Sequence, residues 1–229
     1  MSVDAVRLSC RELTNREINR RLTELPAGSR VVISDPRGTH NLAVGIDREL
    51  DITIDGNAGY FIGGLCDGPA IVVNGFVGWS VGENLMRGTV RVHGNASECA
   101  AASSHGGTVI IAGDASSRAG ISLKGGTLLI AGDVGHMCGF MAQAGTILVG
   151  GDAQDALGDS LYEAVIYVAG TVKSLGSDAR LEELTESDVD TVRALCGHAG
   201  FDHIEPENVL RVASAKELYN FDALASHHY

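Results

Sequence analysis

Histidine, cysteine and acidic side chains are where this chain could hold chemistry. The eight histidines are His40, His93, His105, His136, His198, His203, His227 and His228. None pairs with another at helical metal-ligand spacing beside a third carboxylate ligand, so no zinc set is read. His93, unmatched at the equivalent points of the repeat, reads as a surface residue. The five cysteines, Cys10, Cys66, Cys99, Cys138 and Cys196, show no C-x-x-C spacing and are odd in number. That pattern opposes a disulfide framework, a zinc site or a cysteine-ligated iron–sulfur cluster in this chain, and free thiols in a reducing cytosol are expected. Asn57, Asn95, Asp114, Asp133 and Asp152 recur at multiples of 19 residues. A calcium ladder would need more converging oxygens. The expectation is instead that each Asx side chain bonds to its own local turn, with solvent or Arg118 easing the repulsion among the aspartates. Glycine pairs such as Gly63-Gly64 lack the G-K-[ST] and the strand–Gly–helix setting of a phosphate cradle. No catalytic, cofactor-binding or metal residue is assigned.

The elements behind these positions follow from one repeat. An apolar-x-apolar-x-Gly phrase recurs with its glycine at Gly56, Gly75, Gly94, Gly113, Gly132, Gly151 and Gly170, every 19 residues. Four before the glycine stand Ile52, Ile71, Val90, Val109, Leu128, Ile147 and Ile166; two before it stand Ile54, Val73, Val92, Ile111, Ile130, Val149 and Val168. Alternation in mostly β-branched residues marks a strand with one buried face. Small apolar residues follow two after the glycine, from Ala58 to Val172, and further glycine columns lie seven and thirteen after it. Three punctuated corners per unit predict a three-sided coil, with glycine supplying the dihedral freedom. Stacked at about 4.8 Å per coil, seven coils give a rod of roughly 30 Å. The fold class expected is all-β, a right-handed parallel β-helix with helical extensions at both ends. A left-handed hexapeptide helix is disfavoured, because 19 is not a multiple of six.

Three regions are expected: residues 1–50, a helical lead-in and irregular first coil; 51–175, the repeat; and 176–229, an acidic helix and tail. Ser9 to Glu12 resembles a capping box before Leu13, Ile18 and Leu22. Thr185 to Asp188 precedes a second helix, with Gly197 as its stop. The segment R-V-V-I-S is a first strand outside the clean register. The last residues show no clear period and are expected to pack along the rod or on a partner. The net charge of −12 opposes nucleic acid and anionic membranes as partners. No signal peptide or membrane span is read, which points to the cytoplasm. Residues 51–170 hold 4 Lys+Arg and 11 Asp+Glu, a sparse charge for a free-standing surface. The column four after the glycine, Tyr60, Trp79, Glu98, Ser117, His136 and Asp155, is chemically variable and should face outward. Tyr60 and Trp79 there are expected either to anchor an interface or to pack against the terminal extensions.

The phrases GNAGYFIGG, GFVGWSVGENLMRG, GDASSRAGISLKGG and GDVGHMCGFMAQAG resemble the G-x-G-x-G domain that ends the large subunit of glutamate synthase. E-I-N-R-R-L, from Glu17 to Leu22, resembles the segment leading into that domain, and the first coil departs from its pattern at Asp35 and Pro36. As a separate polypeptide, the chain looks like the small β-helix subunit of N-methylglutamate synthase. The resemblance implies a non-catalytic structural subunit without a cofactor of its own. It implies partners resembling a glutaminase-type amidotransferase and an FMN-binding, iron–sulfur synthase subunit, and a role in shaping the passage of ammonia or methylamine. Asn19, Arg21, Tyr60, Trp79, Arg118 and His136 are the interface candidates. The β-helix subunit of formylmethanofuran dehydrogenase and a glutamate synthase subunit acting on ammonia are the alternatives.

Overall fold

A computed structural model describes residues 5–217. The ends of the chain, including the final residues of the tail expected to pack along the rod, lie outside the described residues. Eleven strands form one sheet: β1 (Val6–Ser9), β2 (Ser29–Ser34), β3 (Leu50–Asp55), β4 (Asp67–Val73), β5 (Arg87–Val92), β6 (Thr108–Ile111), β7 (Lys124–Ile130), β8 (Ala144–Val149), β9 (Val165–Val168), β10 (Ala179–Glu182) and β11 (Leu210–Ser214). The helices are α1 (Asn15–Glu24) and α2 (Glu186–Ala199). Strands β1 to β9 lie side by side in chain order, and β2 to β9 delimit seven coils of a parallel β-solenoid. From β3 onward the register repeats every 19 residues, as in Ile52↔Ile71 and Val90↔Val109. The first coil pairs Val31 with Ile52, a step of 21 residues, so R-V-V-I-S is a strand of the sheet outside the 19-residue register, as expected. The small apolar column forms a second ladder of parallel bridges running Val77, Ala96, Ala115, Val134, Ala153 and Val172.

The inward columns are buried from Leu8 to Val212 as one core. Its bottom is closed by α1, whose Ile18 and Leu22 are fully buried. The capping box of α1 is formed by Thr14 and Glu17, not by Ser9 and Glu12; Ser9 Oγ instead accepts from Arg11 N–H in a turn. The top is closed differently. After α2, β11 turns back and pairs antiparallel with β9, and β10 then pairs with β11. The edge of the last coil is thereby covered, which removes the open strand most prone to aggregation.

Alternation with a single buried face holds only for the early coils. The column three before the glycine reads Thr53, Val72, Arg91, Ile110, Leu129, Leu148 and Tyr167, and the last four are buried on the outer face. There they pack against Val192, Cys196 and Ala199 of α2 and against Phe201, Ile204 and Val209. Helix α2 starts at the expected Thr185–Asp188 segment, whose ends form a capping box, but runs past Gly197 to a left-handed Gly200, φ 76°. Arg91 donates to the carbonyls of Ala199 (2.9 Å) and His198 (3.2 Å), a cation at the negative end of the helix.

The N-terminus of α2 is fixed by Asp188. Burial would raise its carboxyl, but bonds from Thr185, Tyr167 (2.5 Å) and Arg211 (3.1 Å) outweigh this and hold it far below the usual range. Arg211 also pairs with Glu182. A carboxyl with a depressed pKa contributes stability above the unfolded value near 4, and that contribution is lost as pH falls. Amides of α2 should therefore lose hydrogen-exchange protection below about pH 4 before the coils do. An Asp188→Asn variant should not show this separate acid step. Simultaneous loss across α2 and the coils in the wild type would refute the assignment.

Candidate functional site

The repeat glycines are required for close approach rather than for dihedral freedom. Of the seven, Gly56 alone has a positive φ. A Cβ on Gly113 would lie 2.0 Å from Asn95 Oδ1, on Gly132 2.1 Å from Asp114 Oδ1, and on Gly151 2.1 Å from Asp133 Oδ1. Those oxygens are there because the Asx side chains reach to the next coil, not to their own turn. Asn57 Oδ1 accepts the N–H of Phe76 (3.1 Å), Asn95 that of Asp114 (3.0 Å), Asp114 that of Asp133 (2.9 Å), Asp133 that of Asp152 (2.7 Å) and Asp152 that of Thr171 (2.7 Å). Charge-assisted bonds of this kind, rather than Arg118, offset the stacking of aspartates. Bonds from the Thr171 N–H and hydroxyl lower the Asp152 carboxyl from its usual value. The ladder misses one rung, where Phe76 takes the Asx position.

Dihedral strain is placed elsewhere in the coil. Residues five and nine after the glycine are left-handed although they are not glycine, for example Phe61, Cys99, Arg118 and Met137, at φ 58–61°. Between them, seven after, Gly82 is left-handed (φ 67°) and a Cβ there would meet Val109 at 2.6 Å; Ala101 adopts the same conformation at φ 57°. Bonds to the next coil, such as Arg118 N–H to the His136 carbonyl at 2.8 Å, hold these residues in place.

The outward column is a stack. The rings of His40 and Tyr60 lie 4.2 Å apart at 17°, and those of Tyr60 and Trp79 5.3 Å apart at 15°. His40 Nδ1 accepts the Tyr60 N–H at 2.9 Å. Nothing in the sequence pattern pointed to His40, because the first coil's extra residues displace it from the 19-residue register. Trp79 remains 50% and Tyr60 46% exposed. Three further large exposed hydrophobics lie on the same two coils: Leu65, Phe76 (53%) and Met86. Further along the rod the equivalent positions turn polar, and Arg118 and His136 are exposed there. Arg21 is exposed at the last turn of α1. Asn19 uses both ends of its amide within the chain, donating to the Asn41 carbonyl (2.7 Å) and accepting from Val44 N–H (3.3 Å). The structure thus stacks Tyr60 on Trp79, places Arg118 and His136 on adjacent coils further along the rod, and holds Asn19 and Arg21 on α1.

Among the described residues, no three His, Cys, Asp or Glu side chains gather as a metal site. All five cysteines are free thiols. Burial pushes Cys66 up to about 11 and Cys138 up to about 12. Alkylation of the native protein near pH 8 should therefore reach no more than the half-buried Cys10 and Cys99, and all five cysteines after denaturation. A mass spectrum showing a native adduct on Cys138 would contradict the buried coil interior. No described helix is long and apolar enough to cross a membrane.

These features define a parallel β-solenoid, capped at both ends, with its apolar exposure concentrated on two neighbouring coils. No family model matches the chain. It is 46% identical over 210 residues to Protein GlxC of Rhizobium meliloti (strain 1021), an alignment that covers 90% of this chain and 92% of the relative. The chain belongs to the GlxC family.

Proposed function

We propose that this chain is a structural subunit of a glutamate-synthase-like complex. The observation that carries the reading is the belt of exposed Tyr60, Leu65, Phe76, Trp79 and Met86 on two neighbouring coils. Apolar exposure concentrated in one zone marks a surface that a partner covers. Sparse charge along the coils supports the same reading. The glycine-patterned coils and the E-I-N-R-R-L lead-in resemble the G-x-G-x-G domain of glutamate synthase, which supports the reading. The near-complete mutual coverage with GlxC is consistent with this unit serving as a separate polypeptide.

The assembly we favour is a cytoplasmic N-methylglutamate synthase, converting methylamine and L-glutamate to N-methyl-L-glutamate and ammonia. In this reading FMN and the iron–sulfur cluster reside in a synthase-like partner, and a glutaminase-type amidotransferase-like subunit completes the complex. The solenoid buttresses both and helps to bound the passage between their sites. Affinity purification of the tagged chain from its native host tests this. An amidotransferase-like chain and a yellow flavoprotein are expected in stoichiometric amounts. A chain that elutes alone counts against the reading, and tungsten or molybdenum in the complex would point instead to a formylmethanofuran dehydrogenase.

A further inference from the structure

The missing rung of the Asx ladder coincides with a groove. Where Phe76 replaces an Asx residue, the N–H of Asn95 in the next coil has no acceptor among the described residues. The other unpaired donor of this column is Asn57, which follows Arg37 in the irregular first coil. At Gly94 the added Cβ would meet the Gly75 carbonyl at 2.9 Å, with no Asx oxygen there, unlike Gly113 one coil on. A groove of about 590 Å³ opens at this point, lined by Asn74, Phe76, Val77, His93, Asn95 and Ser97. No Lys, Arg, Asp or Glu lines it, in a chain of net charge −12.

We propose that a loop of a partner subunit docks in this groove. It presents an uncharged acceptor oxygen, an Asn side chain or a backbone carbonyl, to the Asn95 N–H. An aliphatic or aromatic side chain from the same loop covers Phe76. The partner thus supplies the rung that the chain itself omits, in the manner in which Asn57 serves the N–H of Phe76. An uncharged occupant follows from the lining, since a carboxylate there would meet an acidic molecule with no cation at hand. A polypeptide rather than a small molecule follows from the extent of the patch. Exposed Trp79, three residues beyond Phe76 in the same coil and stacked on exposed Tyr60, lies outside the groove lining. A local rule broken in favour of an exposed phenyl ring is the signature of a site kept for binding.

This inference rests on the subunit reading, and its test separates the two. Phe76→Asn restores the Oδ1 acceptor, so the isolated chain should gain about 2–4 °C in Tm, the shift expected for one hydrogen bond in a domain of this size. The same variant should bind the co-purified partner subunits at least about tenfold more weakly. Asp133→Ala, which breaks a rung elsewhere, should lower Tm and leave that affinity unchanged. In hydrogen exchange, the Asn95 amide should become protected on assembly of the wild-type complex. Equal affinity of the wild type and Phe76→Asn would overturn the groove assignment and leave the subunit reading intact. Failure of the wild type to bind any such partner would overturn both. Light scattering that shows a wild-type dimer lost in Phe76→Asn would assign the groove to a second copy of this chain and overturn the proposal.

Discussion

Gly113→Ala is expected to destabilise the solenoid by about 3 kcal/mol, with a corresponding fall in the denaturant midpoint. The new Cβ would sit 2.0 Å from Asn95 Oδ1 and 3.1 Å from Asn95 Cγ. The rung from Asn95 to the Asp114 N–H must then break, or the two coils must part. Parting is costly, because Val109 and Ile111, in the strand just before Gly113, are buried in the core. Asn95→Ala alone removes the rung and should cost about 1 kcal/mol, since the freed N–H can reach water. The double variant should be more stable than the sum of the two losses by at least about 1 kcal/mol, because the clash no longer exists. Rescue should be partial, as Asn95 N remains 3.2 Å from the new Cβ. Strictly additive losses would mean that the glycine column is conserved within the coil for some reason other than the ladder.

Leu22→Ala should cost about 2–5 kcal/mol, the range for a fully buried leucine. Leu22 and Ile18 close the open end of the solenoid interior. Alanine suits a helix at least as well as leucine, so the loss reports the seal and not the helix. Unsealed rods should also associate through the exposed first coil, visible as concentration-dependent light scattering. Arg21→Ala, one residue away on the exposed side of α1, should change stability by no more than about 0.5 kcal/mol. A Leu22→Ala variant as stable as Arg21→Ala would remove α1 from the role of plug.

The solenoid was legible because its period is written in columns that share a face. Apolar residues four and two before each glycine can occupy only a repeating strand, and seven copies leave no other register. The cover supplied by α2 was legible in principle. Ile110, Leu129, Leu148 and Tyr167 break the alternation, and apolar runs without alternation signal burial on both faces. The capping box misled by proximity: Ser9 to Glu12 and Thr14 to Glu17 both fit the pattern, and only the second runs directly into the buried Ile18 and Leu22. Three features could not be read from types and spacing. Left-handed Phe61, Cys99 and Met137 are imposed by bonds between coils, which no local propensity encodes. The Asx side chains reach across 19 residues instead of to their own turn. His40 joins the aromatic stack only because the first coil carries extra residues. Of the candidate site, the Tyr60–Trp79 pair was visible from its column, while the significance of Phe76 depends on knowing which N–H it leaves unpaired.

The account stands most directly on omission from a reconstituted complex. Partner subunits purified with and without this chain would be assayed for formation of N-methylglutamate from methylamine and glutamate, and for formation of glutamate from ammonia, 2-oxoglutarate and a two-electron reductant, alongside the chain alone. The account predicts no turnover by the chain alone, and a loss of turnover or of assembly when it is left out. Full activity of the partners without it, or turnover by this polypeptide unaided, would contradict a structural role.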